Sequence, residues 1–308
     1  MIEYFDLHCD TLTEYYKKGY TMYDKNLAVQ LNDFKSFERR GQVFAIWMND
    51  RQKNPFNIYK KIIDNARYNF QANNKEVVFC QNGKDLKKAD ADKKLAAILS
   101  LEGGAVLEKL PERVFKLYDD GVRSLNLCWN FKSGLAGGVE SRGRLTKYGK
   151  STIKNMNKCG MALDLSHLNK KSFYPAIENA DIVLASHSNA HKICNHERNL
   201  TERQLKLIKE KNGIIGICFF PEFLGSGNVM ENIYKQITYM LELDLKDNIS
   251  FGSDFDGAKM DERLKGVRNI QTLYEYLSTK NFDDNTINKI FYQNARNFYD
   301  KLLTNHQK

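Results

Sequence analysis

Short, almost unbroken apolar runs alternate with amphipathic stretches along this whole chain, and that alternation is the strongest constraint on its fold. The runs cover residues 2–7, 43–48, 95–101, 122–127, 161–165, 182–186, 214–219 and 249–252. A strand with this pattern is buried on both faces, as in a parallel sheet covered by helices. Between the runs, helical spacing is predicted over 29–40, where Leu31, Phe34 and Phe37 precede a stop at Gly41. It recurs over 56–70, 112–119, 149–158, 171–178, 201–211 and 230–243, and residues 76–80 read as a short extra strand.

Eight strand and helix units predict an α/β fold of the closed (β/α)8 TIM type. Extra C-terminal helices are expected over 269–279, 285–292 and 294–302. An open doubly wound sheet is the alternative, but no G-x-G-x-x-G follows the first strand. No Pro/Gly/Ser-rich linker divides the 308 residues, so residues 1–308 are expected to form a single barrel domain, a size such barrels accommodate.

Composition excludes some functions. A net charge of +9 could suggest nucleic acid, but the lysines are interspersed with acids, as in residues 87–94, and no Arg-rich stripe accompanies them. A solvated Lys-rich surface is the expectation, with no nucleic-acid partner. The six cysteines show no CxxC spacing and read as buried free thiols. No apolar run approaches the ~18 residues a membrane span needs, and neither a signal sequence nor a tail anchor is evident, so a cytoplasmic, membrane-free protein is expected.

In a barrel the residues at the carboxyl ends of the strands converge on one face, where chemistry sits. Those ends supply His8 and Asp10 from the first main strand, Glu102 from the third, and Trp129 and Asn130 from the fourth. His167 follows the fifth, His187 the sixth, and Asp254 and Asp256 the eighth. Each has a plain structural alternative: Asp10 could cap a helix, Glu102 could be a loop carboxylate, the histidines could be core residues, and the aspartates could shape a turn. Three of only six histidines at one rim, among carboxylates, instead point to a divalent-metal site. His191, His196 and His306 lie in a loop and the tail, and supporting or surface roles are expected. Arg198 could present its guanidinium to a substrate carboxylate or simply flank a helix.

Seven segments appear in a telling order: 6–11 (Asp-Leu-His-Cys-Asp-Thr), 101–104 (Leu-Glu-Gly-Gly), 145–149 (Leu-Thr-Lys-Tyr-Gly), 161–167 (Met-Ala-Leu-Asp-Leu-Ser-His), 186–190 (Ser-His-Ser-Asn-Ala), 198–199 (Arg-Asn) and 252–257 (Gly-Ser-Asp-Phe-Asp-Gly). Together they resemble the membrane (renal-type) dipeptidase family, nearly from end to end and including Asn294. The resemblance implies an amidohydrolase-like barrel holding two Zn2+ per chain, or another divalent metal. His8, Asp10 and Glu102 would hold one ion, and Glu102, His167 and His187 the other, with Glu102 and a hydroxide shared between them. It further implies a dipeptide substrate with tolerance for a C-terminal D-residue, Asp254 as the proton carrier, Arg198 as the anchor for the substrate carboxylate, and a homodimer.

One position departs from the family pattern. Some members carry a histidine after the fourth strand that touches the substrate carbonyl; here the aligned residue is Trp129, which donates one hydrogen bond and does not titrate. Trp129 and Asn130 are therefore expected to help bind substrate, with residues 133–144 either walling the site or forming a surface loop. Two other readings remain open: a related hydrolase of N-acyl amino acids, lactones or lactams, and a non-catalytic metal-binding barrel. Intact ligands and Asp254 count against the second.

Overall fold

The computed structural model describes residues 1–304; His306 lies outside them. The described residues include nine parallel strands: β1 (Tyr4–Cys9), β2 (Arg40–Trp47), β3 (Val77–Phe79), β4 (Leu95–Glu102), β5 (Val122–Asn126), β6 (Ala162–Asp164), β7 (Val183–Ala185), β8 (Ile214–Ile217) and β9 (Ile249–Phe251). Eight of them close on themselves in the order β1-β2-β4-β5-β6-β7-β8-β9, with β9 returning to β1. β3 is the expected extra strand. It pairs with β4 at Leu95–Ala97, below the point where β5 joins that same strand at Leu99.

The helices are α1 (Thr11–Lys18), α2 (Pro55–Ala72), α3 (Gly83–Ala91), α4 (Arg113–Asp119), α5 (Lys147–Cys159), α6 (Lys170–Asn179), α7 (Glu202–Glu210), α8 (Pro221–Leu224), α9 (Val229–Glu242), α10 (Ile270–Ser278), α11 (Asp284–Asn288) and α12 (Asn294–Thr304). The helix expected over 29–40 is not there. Leu31–Ser36 forms a 3-10 turn, and the chain is already in β2 at Arg40. A 3-10 turn also brings residues three apart onto one side, so Leu31 and Phe34 are both buried without an α-helix. The first helix is instead α1, directly after Asp10.

The core has two compartments. Phe5, Leu7, Val43, Ile98, Ala162, Leu184 and Ile214 fill the barrel lumen, while a larger set including Phe44, Leu99, Leu163 and Ile215 packs between strands and helices. Burial on both faces explains why the strands read as continuous apolar runs. The C-terminal helix α12 packs beneath the lumen: Tyr299 stacks on Phe5 with ring centroids 5.7 Å apart and an interplanar angle of 8°. Asn294 fixes its start, donating from Nδ2 to the carbonyls of Lys246 and Ile249, both at 2.8 Å. All six cysteines are free, and four of them are buried. No helix among the described residues is long and apolar enough to cross a membrane.

Candidate active site

Regular alternation along β1 sends Phe5 and Leu7 into the lumen, which would turn His8 outward. The register with β2 shifts between Asp6 and Cys9. Such a bulge reverses the phase of the strand and re-aims the side chain beyond it, so His8 enters the barrel mouth and Cys9 joins the outer core. Two buried aspartates brace these strand ends. Asp6 Oδ1 accepts from the backbone N–H of His8 at 3.2 Å and of Ser253 at 2.9 Å, tying β1 to the segment before Asp254. Asp164 Oδ1 accepts from the N–H groups of Ser166 and Ser186, both at 3.0 Å, tying the approaches to His167 and His187. His167 (φ 71°) and Asp254 (φ 65°) both occupy the left-handed region, a conformation that side chains adopt only where the surroundings enforce it.

The expected ligands meet around Glu102 at the end of β4. His8 Nε2 lies 3.4 Å from Glu102 Oε2 and 3.7 Å from Asp10 Oδ2. On the other carboxylate oxygen, Oε1, His167 Nε2 lies at 2.5 Å and His187 Nε2 at 3.6 Å. Asp254 Oδ1 stands 3.9 Å from His8 Nε2. Three groups of donors thus have their ligand atoms within 4.8 Å of one another: His8, Asp10 and Glu102; Glu102, His167 and His187; and His8, His187 and Asp254. Asp10 makes no capping bond to α1, which removes the helix-cap alternative for it.

The donor set fits divalent cations. His8 Nε2, Asp10 Oδ1 and Glu102 Oε2 are buried with no hydrogen-bond partner, an arrangement that is costly unless something positive sits among them. Burial, then the Arg198 and His8 charges, holds the His167 imidazole well below its ordinary value. Burial, then His8 and Arg198, does the same for His187. A shift in that direction favours the neutral imidazole that metal ligation requires. Burial opposes charge on His8 too, but Glu102 and Asp10 outweigh it and hold that imidazole well above its usual range. Burial and the Asp10 charge push the Glu102 carboxyl upward, the sign of carboxylates crowded together without enough compensating positive charge.

The cavity above the cluster measures about 400 Å3 and is walled by Thr13, Glu14, Lys17, Trp47, Trp129, Phe220 and Phe223. Trp129 packs edge-on against Trp47, centroids 5.3 Å apart, and lies 6.2 Å from the His167 ring. Asn130 also lines the cavity, and its Oδ1 is 2.7 Å from His167 Nδ1. Arg198 is buried beside the cluster, with Nη2 3.3 Å from His167 Nε2 and donating to the His187 carbonyl at 3.2 Å. Its Nε has no partner. A neighbouring hollow, which Arg198 lines, shares Asn130, Phe220 and Phe223 with this cavity, and Val139 and Glu140 from residues 133–144 form part of its wall.

Other residues have different positions. Both Asp256 oxygens are taken, by the Thr11 hydroxyl at 2.6 Å and the N–H groups of Ala28 and Val29 at 2.8 and 3.3 Å, so this carboxylate ties loops together. His196 supports Arg198 by accepting its backbone N–H at 3.1 Å. Sequence reasoning missed Asp50, whose carboxylate accepts from the N–H groups of Trp129 at 3.0 and 3.1 Å and Phe131 at 2.9 Å. It thereby holds the loop that presents Trp129 and Asn130. Nothing local marks Asp50 in the sequence, because its partners are 79 and 81 residues away. Asp6 and Asp164 were detectable in principle: each accepts the N–H two residues on, an Asx-type turn at a strand end.

Known proteins share this architecture. A crystal structure of a metallopeptidase from Rhodobacter sphaeroides, liganded with a phosphinate mimic of the dipeptide L-Ala-D-Ala, superimposes with a TM-score of 0.90. It has 22% identity over 98% of this chain and 99% of that one. The probable dipeptidase PvdM from Pseudomonas aeruginosa gives a TM-score of 0.82 at 17% identity, covering 98% of this chain and 96% of that one. In sequence, an uncharacterized protein from the pqqA 5' region of Klebsiella pneumoniae is 30% identical over 230 residues, or 70% of this chain and 85% of the relative. The family model for membrane dipeptidase matches residues 1–302. With that match on a closed barrel whose mouth gathers the ligand set, the chain belongs to the membrane dipeptidase family, peptidase family M19, and is a metallopeptidase.

Proposed function

We propose that this metallopeptidase is a zinc dipeptidase with a two-ion centre bridged by Glu102. The observation that supports this most directly is the division of Glu102: Oε2 faces His8 and Asp10, while Oε1 faces His167 and His187. A carboxylate with different donors at each oxygen is what two neighbouring cations require. When bound, such a pair supplies an acidified water and Lewis acidity toward a peptide carbonyl.

The chain's own residues supply the rest. Burial raises the Asp254 carboxyl, with His8 opposing; a carboxyl shifted toward neutrality can take a proton from the attacking water and return it to the leaving amine. The partnerless Nε of buried Arg198 is suited to the substrate's terminal carboxylate, and an anchor this near the metal ligands limits the length of substrate that fits. Asn130 orients His167 through Nδ1, and Trp129 with Trp47 walls the cavity. Because the Rhodobacter sphaeroides structure holds a mimic of L-Ala-D-Ala, we include dipeptides with a C-terminal D-residue among the substrates.

The test strips the metal, restores zinc, and measures hydrolysis of L-Ala-L-Ala, L-Ala-D-Ala and N-acetyl-alanine. Zinc-dependent cleavage of the free dipeptides is expected. Cleavage confined to the N-acyl compound, or none that depends on zinc, would overturn the proposal.

A further inference from the structure

The three ligand histidines point Nε2 at the cluster, so the partner of each outer nitrogen determines how firmly the ring is aimed. His167 Nδ1 has its own partner in Asn130 Oδ1, at 2.7 Å. His8 and His187 share one. Ser186 Oγ lies 2.7 Å from His187 Nδ1 and 3.3 Å from His8 Nδ1. Those two rings are close neighbours, with centroids 3.9 Å apart and planes tilted by 34°. Yet His8 serves the Oε2 side of Glu102 and His187 the Oε1 side. One hydroxyl therefore stands behind ligands of both halves of the site.

An imidazole that gives its Nε2 lone pair to a cation keeps its proton on Nδ1. With both halves filled, His8 and His187 both donate, and a serine oxygen has the two lone pairs needed to accept both. Ser186 is buried, so bulk water does not compete for that oxygen. Its peptide is also fixed from both sides. The N–H donates to Asp164 Oδ1 at 3.0 Å. A Cβ added to Gly216 or to Gly252 would fall only 1.9 or 1.7 Å from the Ser186 carbonyl oxygen. Only glycine at those two positions, in β8 and directly after β9, lets the segment lie this close.

We propose that Ser186 is a positioning residue shared by the two ion sites: its hydroxyl accepts from both His8 Nδ1 and His187 Nδ1, so that removing it weakens both ions together. This rests on the two-ion reading above. Neither Asn130, which supports one ring, nor Asp164, which contacts only backbone here, has that reach.

The experiment is equilibrium dialysis of the purified chain against chelator-buffered Zn2+, counting ions per chain in wild type, Ser186→Ala and Asn130→Ala. Wild type is expected to hold two ions, Asn130→Ala to weaken one, and Ser186→Ala to weaken both, each by about 10- to 100-fold. Cobalt(II) in place of zinc adds a readout that a merely structural role leaves unmoved: the ligand-field bands of both ions change in Ser186→Ala, and those of one in Asn130→Ala. If Ser186→Ala does not fold, Ser186→Thr replaces it. Two ions at wild-type affinity then support the shared acceptor, and weaker binding overturns it. Ser186→Ala holding both ions within about twofold of wild type, or weakening only one, also overturns it. A wild type with fewer than two ions overturns the two-ion reading and this inference together.

Discussion

Arg198 offers the sharpest test of how substrate length is recognised. Its side chain is almost wholly buried, 4% exposed, with one guanidinium nitrogen on the His187 carbonyl, the Phe223 ring 5.1 Å from its carbon, and Nε without a partner. A substrate carboxylate meeting that nitrogen would form a desolvated, charge-assisted pair. Truncating one side of such a pair costs about 2–5 kcal/mol, which is about 30- to 5,000-fold in kcat/KM. Arg198→Met is therefore expected to lower kcat/KM for L-Ala-L-Ala by that range, and Arg198→Lys, which retains charge without the planar fork, by less. The C-terminal amide of the dipeptide separates anchoring from damage. Wild type should discriminate against the amide, and Arg198→Met should lose most of that discrimination while keeping its zinc. If the substitution lowers dipeptide and amide hydrolysis by the same factor, Arg198 does not bind the carboxylate.

Three further outcomes follow from particular contacts. Asp254→Asn should lower kcat by about 100- to 10,000-fold with two zinc ions per chain retained; loss of metal would make Asp254 chiefly a ligand. Burial, the largest influence, pushes the Asp50 carboxyl up to about 6 despite the Trp129 and Phe131 N–H groups. Since the unfolded value is near 3.9, the folded chain holds the extra proton between about pH 4 and 6. Asp50's contribution to stability should thus be greatest below that window and fall as pH rises through it. Urea midpoints of wild type minus Asp50→Asn across about pH 4 to 7 check the sign, and a difference that grows with pH refutes it. Phe5→Ala, which empties a site stacked on Tyr299 in the lumen, should cost about 3–5 kcal/mol in a denaturant titration; less than about 1 kcal/mol would show that α12 does not secure the barrel floor.

Much of this protein was readable from its residues because barrel physics leaves strong marks. Strands buried on both faces leave apolar runs, and a rim of strand ends concentrates polar chemistry, so His8, Asp10, Glu102, His167 and His187 could be brought together before any distance was known. Errors arose where periodicity is ambiguous or contact is remote. Leu31, Phe34 and Phe37 satisfy a 3-10 turn as well as a helix, and the bulge that turns His8 inward has no signature in residues 6–9. The supporting residues were less legible than the expected ligands. Asp50 acts across 79 residues, and Ser186 acquires its position only when β1 and β7 close into one ring, 178 residues apart. A residue whose partners are made by tertiary closure looks like any other serine or aspartate in a one-dimensional sequence.

If Glu102 joins two ion sites into one catalytic unit, activity must track the zinc content of the chain. Metal-stripped wild type titrated with Zn2+ should reach full dipeptidase activity at two equivalents per chain, and Glu102→Gln should fail to retain either ion under the same conditions. Full activity at one equivalent, or a Glu102→Gln chain that loses a single ion and keeps the other at wild-type affinity, would contradict it.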